Sequence, residues 1–478
     1  MNASANPDHA RVLRLLKRYG REATSFQVLE PGLSYWFDGD EACVAYVQVR
    51  GAWVTAGEPV CAEQRIPLTV ERFHEEATRN GARVRFFHVS EAFCLRSELA
   101  ASHVGEEPVW DPAEWEAALS GSRSLREQLR RARAKGVSVR VVEPEAMGDP
   151  AHPVRRACEA LVGRWLRARG MHEMRFMVLV HPFSFARERR YVIAEREGQL
   201  VGFAAAVPIY QRSGWFIEDL LRDPAAPNGT VELLVDAMMR EFHAEGCRFA
   251  TLGLAPLAGD VGPLLAFTRD YTTRLYNFPG VRAFKEKLKP RDWVPVYLAF
   301  PQGERGMRAM GDVLAAFAPS GVLRFALHTL VHQRTLVTRL LALLLVPWTL
   351  GLALADTARW FPSATVQWAW VVFDSLLVLL LLSLARRWRN GLAVSITFLT
   401  TGDALLTMLQ ALSWNVWTAR GLVQWLFLAL GCTGPLLAAA FFWQTRRVTL
   451  SRRVAAPTTR HDGSRALPQK PDMRGGRA

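Results

Sequence analysis

Paired cysteines are missing from this chain of 478 residues. The six present (Cys43, Cys61, Cys94, Cys158, Cys247 and Cys432) are scattered, with no C-x-x-C pair. That spacing argues against a disulfide framework or a zinc site and points to a reducing compartment. Histidine clusters are missing too. There is no H-E-x-x-H, and His172-Glu173 is a lone pair in a loop-like stretch, so no metal site is expected. The opening residues lack the apolar core of a secretory leader, so no signal peptide is expected. An acidic excess is also absent: 59 Lys and Arg face 45 Asp and Glu, a formal net charge of +14. An enzyme of small neutral substrates has no need of that charge, whereas nucleic acid or an anionic membrane surface would each explain it.

Long apolar runs are absent up to about Pro301 and dominate after Arg339. Four stretches follow, roughly Leu340–Ala355, Thr365–Ala385, Leu392–Trp414 and Leu422–Trp443. A bilayer core needs about 20 residues, which the last three supply and the first reaches if it extends to Trp360. Trp348, Trp360, Trp368, Trp370, Trp388, Trp414, Trp417 and Trp443 fall mostly near the ends, as an aromatic belt does. Arg334 and Arg339 precede span one, Arg386, Arg387 and Arg389 follow span two, and Arg446, Arg447, Arg452 and Arg453 follow span four. The intervening loops carry only Arg359 and Arg420. By the positive-inside rule, a multi-pass inner-membrane protein with cytoplasmic N-terminal domain and tail is expected. Asp374 and Asp403 lie inside spans two and three, where each acid costs roughly 2.5–3.5 kcal/mol. They read as a polar site in the bundle or as acids bonded to Ser375, Thr400 or Thr401. The tail, 446–478, rich in Arg, Pro and Gly, is expected to be disordered.

The part before the spans holds two similar halves. "RVLRLLKRYG" reads as a short basic amphipathic helix stopped by Gly20. "SYWFDG", "ACVAYVQVRG", "WVTAGEPV", "LTVERFHEEATRNG" and "RVRFFHVS" then read as strand, strand, strand, helix, strand. Residues 187–256 repeat the plan. A hairpin turns at Glu197-Gly198, and "GWFIEDLL" is the next strand. Val231, Leu234, Val235, Met238 and Phe242 mark one face of a helix that Gly246 ends, and "RFATLGL" is the strand after. This order resembles the core of GNAT acyltransferases. The expected fold is therefore α/β (α+β): tandem GNAT-like domains followed by an all-α module of four transmembrane helices. The expected domains are 1–120, a catalytic 121–305, a linker or interfacial helix at 306–338, the spans at 339–445, and the tail.

GNAT enzymes hold the pyrophosphate of coenzyme A on free backbone amides at a helix N-terminus, after the third strand of such a unit. Here the junction reads "RDPAAPNG". Pro224 and Pro227 each delete a donor, and Asp223 adds a negative charge where phosphate would sit. A second match, Q-x-x-G-x-A at Gln199, Gly202 and Ala204, enters a strand rather than a helix and is discounted. No coenzyme-A cofactor is expected.

"DLLRDPAAPNGTVELL", "LGLAPLAG", "YNFPGVRAFKEKLKP" and "WVPVYLAFP", with "FDGDEACVAYVQVRGAWVTAGEPV" and "RVRFFHVSEAF" before them, resemble the C-terminal synthase domain of the phosphatidylglycerol lysyltransferases, or multiple peptide resistance factors (DUF2156-like). The resemblance covers about Phe26 to Pro301. It implies a membrane-bound aminoacyltransferase that moves a lysyl- or alanyl-type group from aminoacyl-tRNA to a lipid headgroup hydroxyl, normally of phosphatidylglycerol. It also explains the broken loop: the acyl carrier is RNA, so no pyrophosphate cradle is required. In long family members the membrane helices come first and include a flippase; here the spans follow, which puts lipid translocation in doubt. The alternatives are an acyl-coenzyme-A-dependent N-acyltransferase and a non-catalytic lipid- or RNA-binding module.

Transesterification needs a base, a stabiliser for the oxyanion, and a seat for the aminoacyl cation. Asp219 and Arg222, at the end of the strand, match the family's D-x-x-R pair. Asp219 would take the hydroxyl proton or bind the α-ammonium, and Arg222 would fork a phosphate. A salt bridge pinning the loop is the bland reading. Asn228 stands at a helix N-cap position, and the family's "APNG" puts it in the site. Glu218 alternates to the other strand face and reads as structural or solvated. Arg282, Lys285 and Lys289 share one helical face, suited to phosphate or to solvent alone. The family motif assigns Lys285 and Glu286 to catalysis. In "SRSLREQLRRARAKG" (122–136), Arg126, Arg130 and Arg133 form a ridge beside a seam of Leu125, Leu129 and Ala132. The ridge would grip tRNA phosphates or anionic headgroups, or be a solvated linker helix. The amino acid, the acceptor lipid and the oligomeric state stay open.

Overall fold

The computed structural model describes residues 7–168, 176–256, 278–317 and 334–454, in two units, Met1–Thr329 and Leu330–Ala478. His172-Glu173 lies outside the described residues. In the first unit α1 (His9–Tyr19) ends at Gly20, where a Cβ would meet the Leu16 carbonyl oxygen at 2.7 Å. A 3-10 turn over Ala23–Leu29 follows. Next come β1 (Ser34–Asp38), β2 (Ala42–Val49), β3 (Ala52–Ala56), α2 (Ile66–Arg79) and β4 (Arg83–Val89), the order expected for the first half. After α3 (Glu91–Arg96), the long β5 (Ala100–Trp110) leads through α4 (Trp115–Gly121) and α5 (Arg123–Ala134) to β6 (Val137–Val142). The second half adds α6 (Pro144–Gly148), α7 (Pro153–Ala168), the hairpin β7 (Arg190–Arg196) and β8 (Gln199–Ile209), β9 (Gly214–Arg222), α8 (Thr230–Ala244), β10 (Phe249–Thr251) and β11 (Ala255–Pro256). Past the undescribed segment stand α9 (Phe278–Lys287), β12 (Asp292–Phe300) and α10 (Gly306–Phe317).

The two halves repeat one plan, since β3 runs parallel to β4 across α2 and β9 runs parallel to β10 across α8. They are fused through a single twelve-stranded sheet in the order β1-β2-β3-β4-β12-β5-β10-β9-β8-β7-β6, with β11 paired to β5. The weld is β12. It comes last in sequence yet lies antiparallel between β4 and β5, while β5 also pairs with β10. The expected boundary at 120/121 falls within α4, between two strands, β5 and β6, of one continuous sheet.

α8 is buried on several faces: Leu233, Leu234, Val235, Met238, Met239 and Phe242 are all closed off from solvent. The sheet covers one side and α5 the other, through Leu125, Leu129 and Ala132. The apolar seam expected on α5 is thus a packing seam. α10, in the stretch expected as a linker or interfacial helix, packs onto the first half. Ala309, Val313 and Ala316 join its core, and Asp312 accepts from Arg83 (3.0 Å) and the fully buried Arg85 (3.1 Å). A helix that neutralises a buried guanidinium is part of the domain, because leaving that charge unpaired would cost several kcal/mol.

Among the described residues, the second unit has four helices long and apolar enough to cross a membrane: α11 (Arg334–Leu354), α12 (Ala364–Arg386), a third over Asn390–Thr418 that starts with α13 (Asn390–Gln410), and α14 (Leu422–Val454). Ala342, Leu377, Leu381, Leu384, Ile396, Phe441 and Phe442 form their core. α14 runs past the expected end at 445, and the tail from 455 lies outside the described residues. Asp374 and Asp403 are both buried. The hydroxyls of Ser375, Thr400 and Thr401 turn to their own helix carbonyls, and Thr407 is the one that donates to Asp403, at 3.3 Å.

Candidate functional site

β9 does not alternate regularly. Ala205 faces Asp219, but the next residue, Ala206, faces Ile217, so Glu218 is an extra residue in a β-bulge. A bulge re-aims side chains that a regular strand would send to opposite faces. Glu218 is consequently not solvated. It ion-pairs with Arg189 at 2.5 Å, with the two side chains 9% and 4% exposed. Arg189 is held in turn by the Ser184 carbonyl (2.8 Å) and hydroxyl (3.2 Å).

Asp219, 5% exposed, lies beside this pair, and Glu30, 7% exposed, closes the group from the end of the Ala23–Leu29 turn. One carboxyl oxygen of Asp219 and one of Glu30 are buried with no hydrogen-bond partner among the described residues. Burial, and then Glu218, push the Asp219 carboxyl up to about 8 against the pull of Arg189. Burial, Glu218 and Asp219 push Glu30 up to about 9. Among the described residues, three carboxyl groups thus share one guanidinium. A buried acid without a partner is costly, and such uncompensated groups cluster where proteins bind and react.

At the mouth of the loop, Arg222 does not pair with Asp219; it donates to Asn228 at 3.3 Å. Asn228 is exposed and is not the helix cap: that position belongs to Gly229, at φ +96°. The loop amides are largely taken. Asp223 accepts from the Ala225 N–H through its side chain (3.0 Å) and from the Ala226 N–H through its carbonyl (2.9 Å), while Pro227 accepts from Thr230 (3.3 Å). A Cβ on Gly229 would lie 2.5 Å from the Gln128 carbonyl oxygen and 3.0 Å from the Ala132 Cβ, so the backbone of α5 lies against the start of α8. Nucleotide pyrophosphate would need that space and those donors.

The basic stripe expected on α9 is not formed. Lys285 turns inward and gives all three of its donors to successive carbonyls, Leu252 (2.9 Å), Gly253 (2.6 Å) and Leu254 (2.9 Å). Its burial pulls the ammonium down to about 7, opposed by Glu107. Arg282 pairs with Glu106 and lies 4.5 Å over the Trp293 ring. Glu286 is exposed, and Lys289 lies beyond the helix end at φ +54° and is exposed. On α5, Arg126 donates to the carbonyls of Leu119 (2.8 Å) and Ser120, Arg130 pairs with Glu127 (2.8 Å), and Arg133 pairs with the buried Asp236 (2.9 Å). Arg130 remains 69% exposed and Arg133 56%. No group of three metal-ligating side chains occurs among the described residues.

Glu30, Arg189 and the role of Glu218 could not be found from the sequence. Nothing local marks Glu30 or Arg189, and only the bulge reveals Glu218.

A mixed α/β sheet with two strand–crossover helix–strand units, joined edge to edge, defines a paired GNAT-like protein with a buried carboxyl cluster at the bulge of β9, closed by Glu30 from the first half. Residues 13–300 match the family described as "Phosphatidylglycerol lysyltransferase, C-terminal". The chain belongs to that family. Among curated relatives, a phosphatidylglycerol lysyltransferase of Bacillus subtilis is 27% identical over 320 residues, covering 61% of this chain and 35% of the relative. A lysylphosphatidylglycerol biosynthesis bifunctional protein LysX of Rhodococcus opacus is 22% identical over 331 residues, covering 64% and 29%. The chain therefore spans about a third of the length of these relatives. The solved structure of L-PGS from Bacillus licheniformis shares the fold, with a TM-score of 0.56 and 20% identity, covering 66% of this chain and 99% of that one. So does a DUF2156 domain from Agrobacterium fabrum, with a TM-score of 0.57 and 24% identity, covering 66% and 98%.

Proposed function

We propose that this protein is a membrane-bound aminoacyltransferase that moves a lysyl- or alanyl-type group from aminoacyl-tRNA to a headgroup hydroxyl of phosphatidylglycerol, with the synthase unit and tail on the cytoplasmic side. The observation that carries the reading is the buried cluster of Glu30, Glu218 and Asp219 around Arg189. It suits a substrate that brings a positive charge, as an aminoacyl ester does through its ammonium group.

In this reading the ammonium is held by the open oxygen of Glu30 and the surplus negative charge beside Glu218. Asp219 in its ionised form takes the proton of the attacking hydroxyl. The hydroxyl oxygen bonds to the ester carbonyl carbon, the bond from that carbon to the tRNA ribose oxygen breaks, and the proton passes to the departing oxygen. A base whose pKa lies near the working pH is the efficient choice for such a transfer. Arg222, at the mouth with Asn228, receives a phosphate of the lipid or of the tRNA end. Arg130 and Arg133 keep exposed guanidinium surface for RNA phosphates. Lys285 acts as a positioning residue, fixing the strand end that carries Leu252 to Leu254.

The coenzyme-A reading is disfavoured by the occupied loop amides and by α5 lying against Gly229. The deciding experiment expresses the full chain in bacteria that make phosphatidylglycerol but no aminoacyl lipid, and analyses extracted lipids by mass spectrometry. A new lipid heavier by one aminoacyl group, absent with Asp219→Asn, is expected. No such lipid, or one that persists when charged tRNA is withheld from a membrane assay, would refute the proposal.

A further inference from the structure

The membrane unit is short of counter-charge at one end. Between Arg334 and Val454 the only acids are Asp356, Asp374 and Asp403. Asp356 caps the short turn Thr357–Trp360 that precedes α12, while Asp374 and Asp403 are buried within their spans. At the other end of α12, Arg386, Arg387 and Arg389 are exposed. None of their side chains has a hydrogen-bond or ion-pair partner among the described residues. Two more arginines lean toward that end: Arg334 lies 4.6 Å over the Trp388 ring, and Arg339 reaches the Ala385 carbonyl at 3.5 Å.

Arg386, Arg387 and Arg389 border a cavity of about 270 Å³ whose other walls are Leu379, Leu382 and Ser383. Leu379, Ser383 and Arg386 follow one another at i, i+4 and i+7, so a single face of α12 passes from apolar side chain to hydroxyl to guanidinium. Leu379 is 63% exposed, so the apolar end of this face is open to the hydrocarbon in which the span would lie. That gradient matches a phospholipid, with a phosphodiester at the arginines, a hydroxyl partner below and acyl chains along the leucines. Basic pockets beside membrane helices hold anionic headgroups in this way.

We propose that the groove at the end of α12, between Arg386, Arg387 and Arg389 and the wall of Leu379, Leu382 and Ser383, is a binding site for the headgroup of an anionic phospholipid. It is built from residues of the second unit alone and does not depend on the transfer reaction. A free phosphate would satisfy the arginines but not the exposed leucine face, which is why a lipid is assigned.

The test uses the full chain in nanodiscs of phosphatidylglycerol and phosphatidylcholine, released for native mass spectrometry with retained lipids counted. Wild type is expected to retain phosphatidylglycerol in preference to phosphatidylcholine. The triple variant R386Q/R387Q/R389Q and the filling variant Ser383→Trp are each expected to weaken that preference by about tenfold or more. Ser383 is exposed, so the tryptophan fills the groove with every arginine kept and no core disturbed. Equal retention of both lipids by wild type would overturn the proposal. So would an unchanged preference in Ser383→Trp, since a diffuse attraction to arginines needs no groove. Displacement of the bound lipid by millimolar inorganic phosphate would also overturn it, in favour of a free anion.

Discussion

Each half of the sheet carries an acid, half-buried in the first and buried in the second, just past the point where its parallel strand pair comes apart, and the two acids are treated oppositely. In the first half β3 pairs with β4 as far as Ala56 and Phe87, and Glu58 stands two residues beyond. Its carboxylate accepts from the Ser90 N–H at 2.9 Å and from the Ser90 hydroxyl at 2.7 Å. In the second half β9 pairs with β10 as far as Phe216 and Thr251, and Asp219 stands three residues beyond. There a bulge intervenes, and one oxygen of Asp219 is left buried with no partner among the described residues. Burial pushes both acids up, Glu58 to about 7 and Asp219 to about 8. The raised pKa alone does not separate them; hydrogen bonding does. A satisfied acid holds two segments together, whereas an unsatisfied one stores a cost that only a ligand or proton removes.

Removing each charge in turn puts the contrast at greatest risk. Asp219→Asn keeps the shape and is expected to lower aminoacyl transfer by about 100- to 10,000-fold. Glu58→Gln is expected to leave transfer within a few-fold of wild type, because Ser90 already satisfies that carboxylate. Equal loss of activity in both, measured with labelled aminoacyl-tRNA, would erase the distinction.

A smaller effect is expected in stability against pH. The folded-state pKa of Asp219 lies above the usual carboxylate value, so the folded state binds the extra proton. The contribution of this group to stability then falls as pH rises from about 4 to about 8 and levels off above. Asp219→Asn removes that slope, so the variant should match wild type near pH 4 and exceed it by a few kcal/mol above pH 8. Thermal unfolding of the full chain in detergent across that range checks the sign. A variant less stable than wild type at high pH would contradict it.

The smallest expected contrast concerns two glycines. Gly81, after α2, has φ +65° and nothing within 4 Å of the point where a Cβ would stand, while Gly229, before α8, has φ +96° and the Gln128 carbonyl at 2.5 Å. Gly81→Ala should cost only the backbone strain, about 1 kcal/mol. Gly229→Ala adds the displacement of α5 and should cost roughly 1–2 kcal/mol more. Equal costs by thermal unfolding would mean that α5 does not close the loop.

Much of the architecture was legible because it rests on local signals. The helix face at Leu234, Val235, Met238 and Phe242, the hairpin at Glu197-Gly198 and the four spans follow from periodicity and turn residues alone. The bulge was not legible, because a register slip between two strands leaves no mark on either, and so Glu218 was placed on the wrong face. The stripe on α9 failed for a related reason. Spacing puts Lys285 on a helical face but does not say that three bare carbonyls wait there.

Short-range sterics and the period of hydrophobic residues were enough to set the series of elements, the repeat of one plan in two halves and the apolar lengths that follow. Which charges are hidden, and which of those are paired, was left to the folded chain. Glu30, Arg189 and Asp219 come from three distant segments, and β12 joins the halves from a segment that follows both of them in the chain. The cost of a buried charge depends on what lies within a few ångströms of it, and that neighbourhood exists only once strands remote in the chain have met.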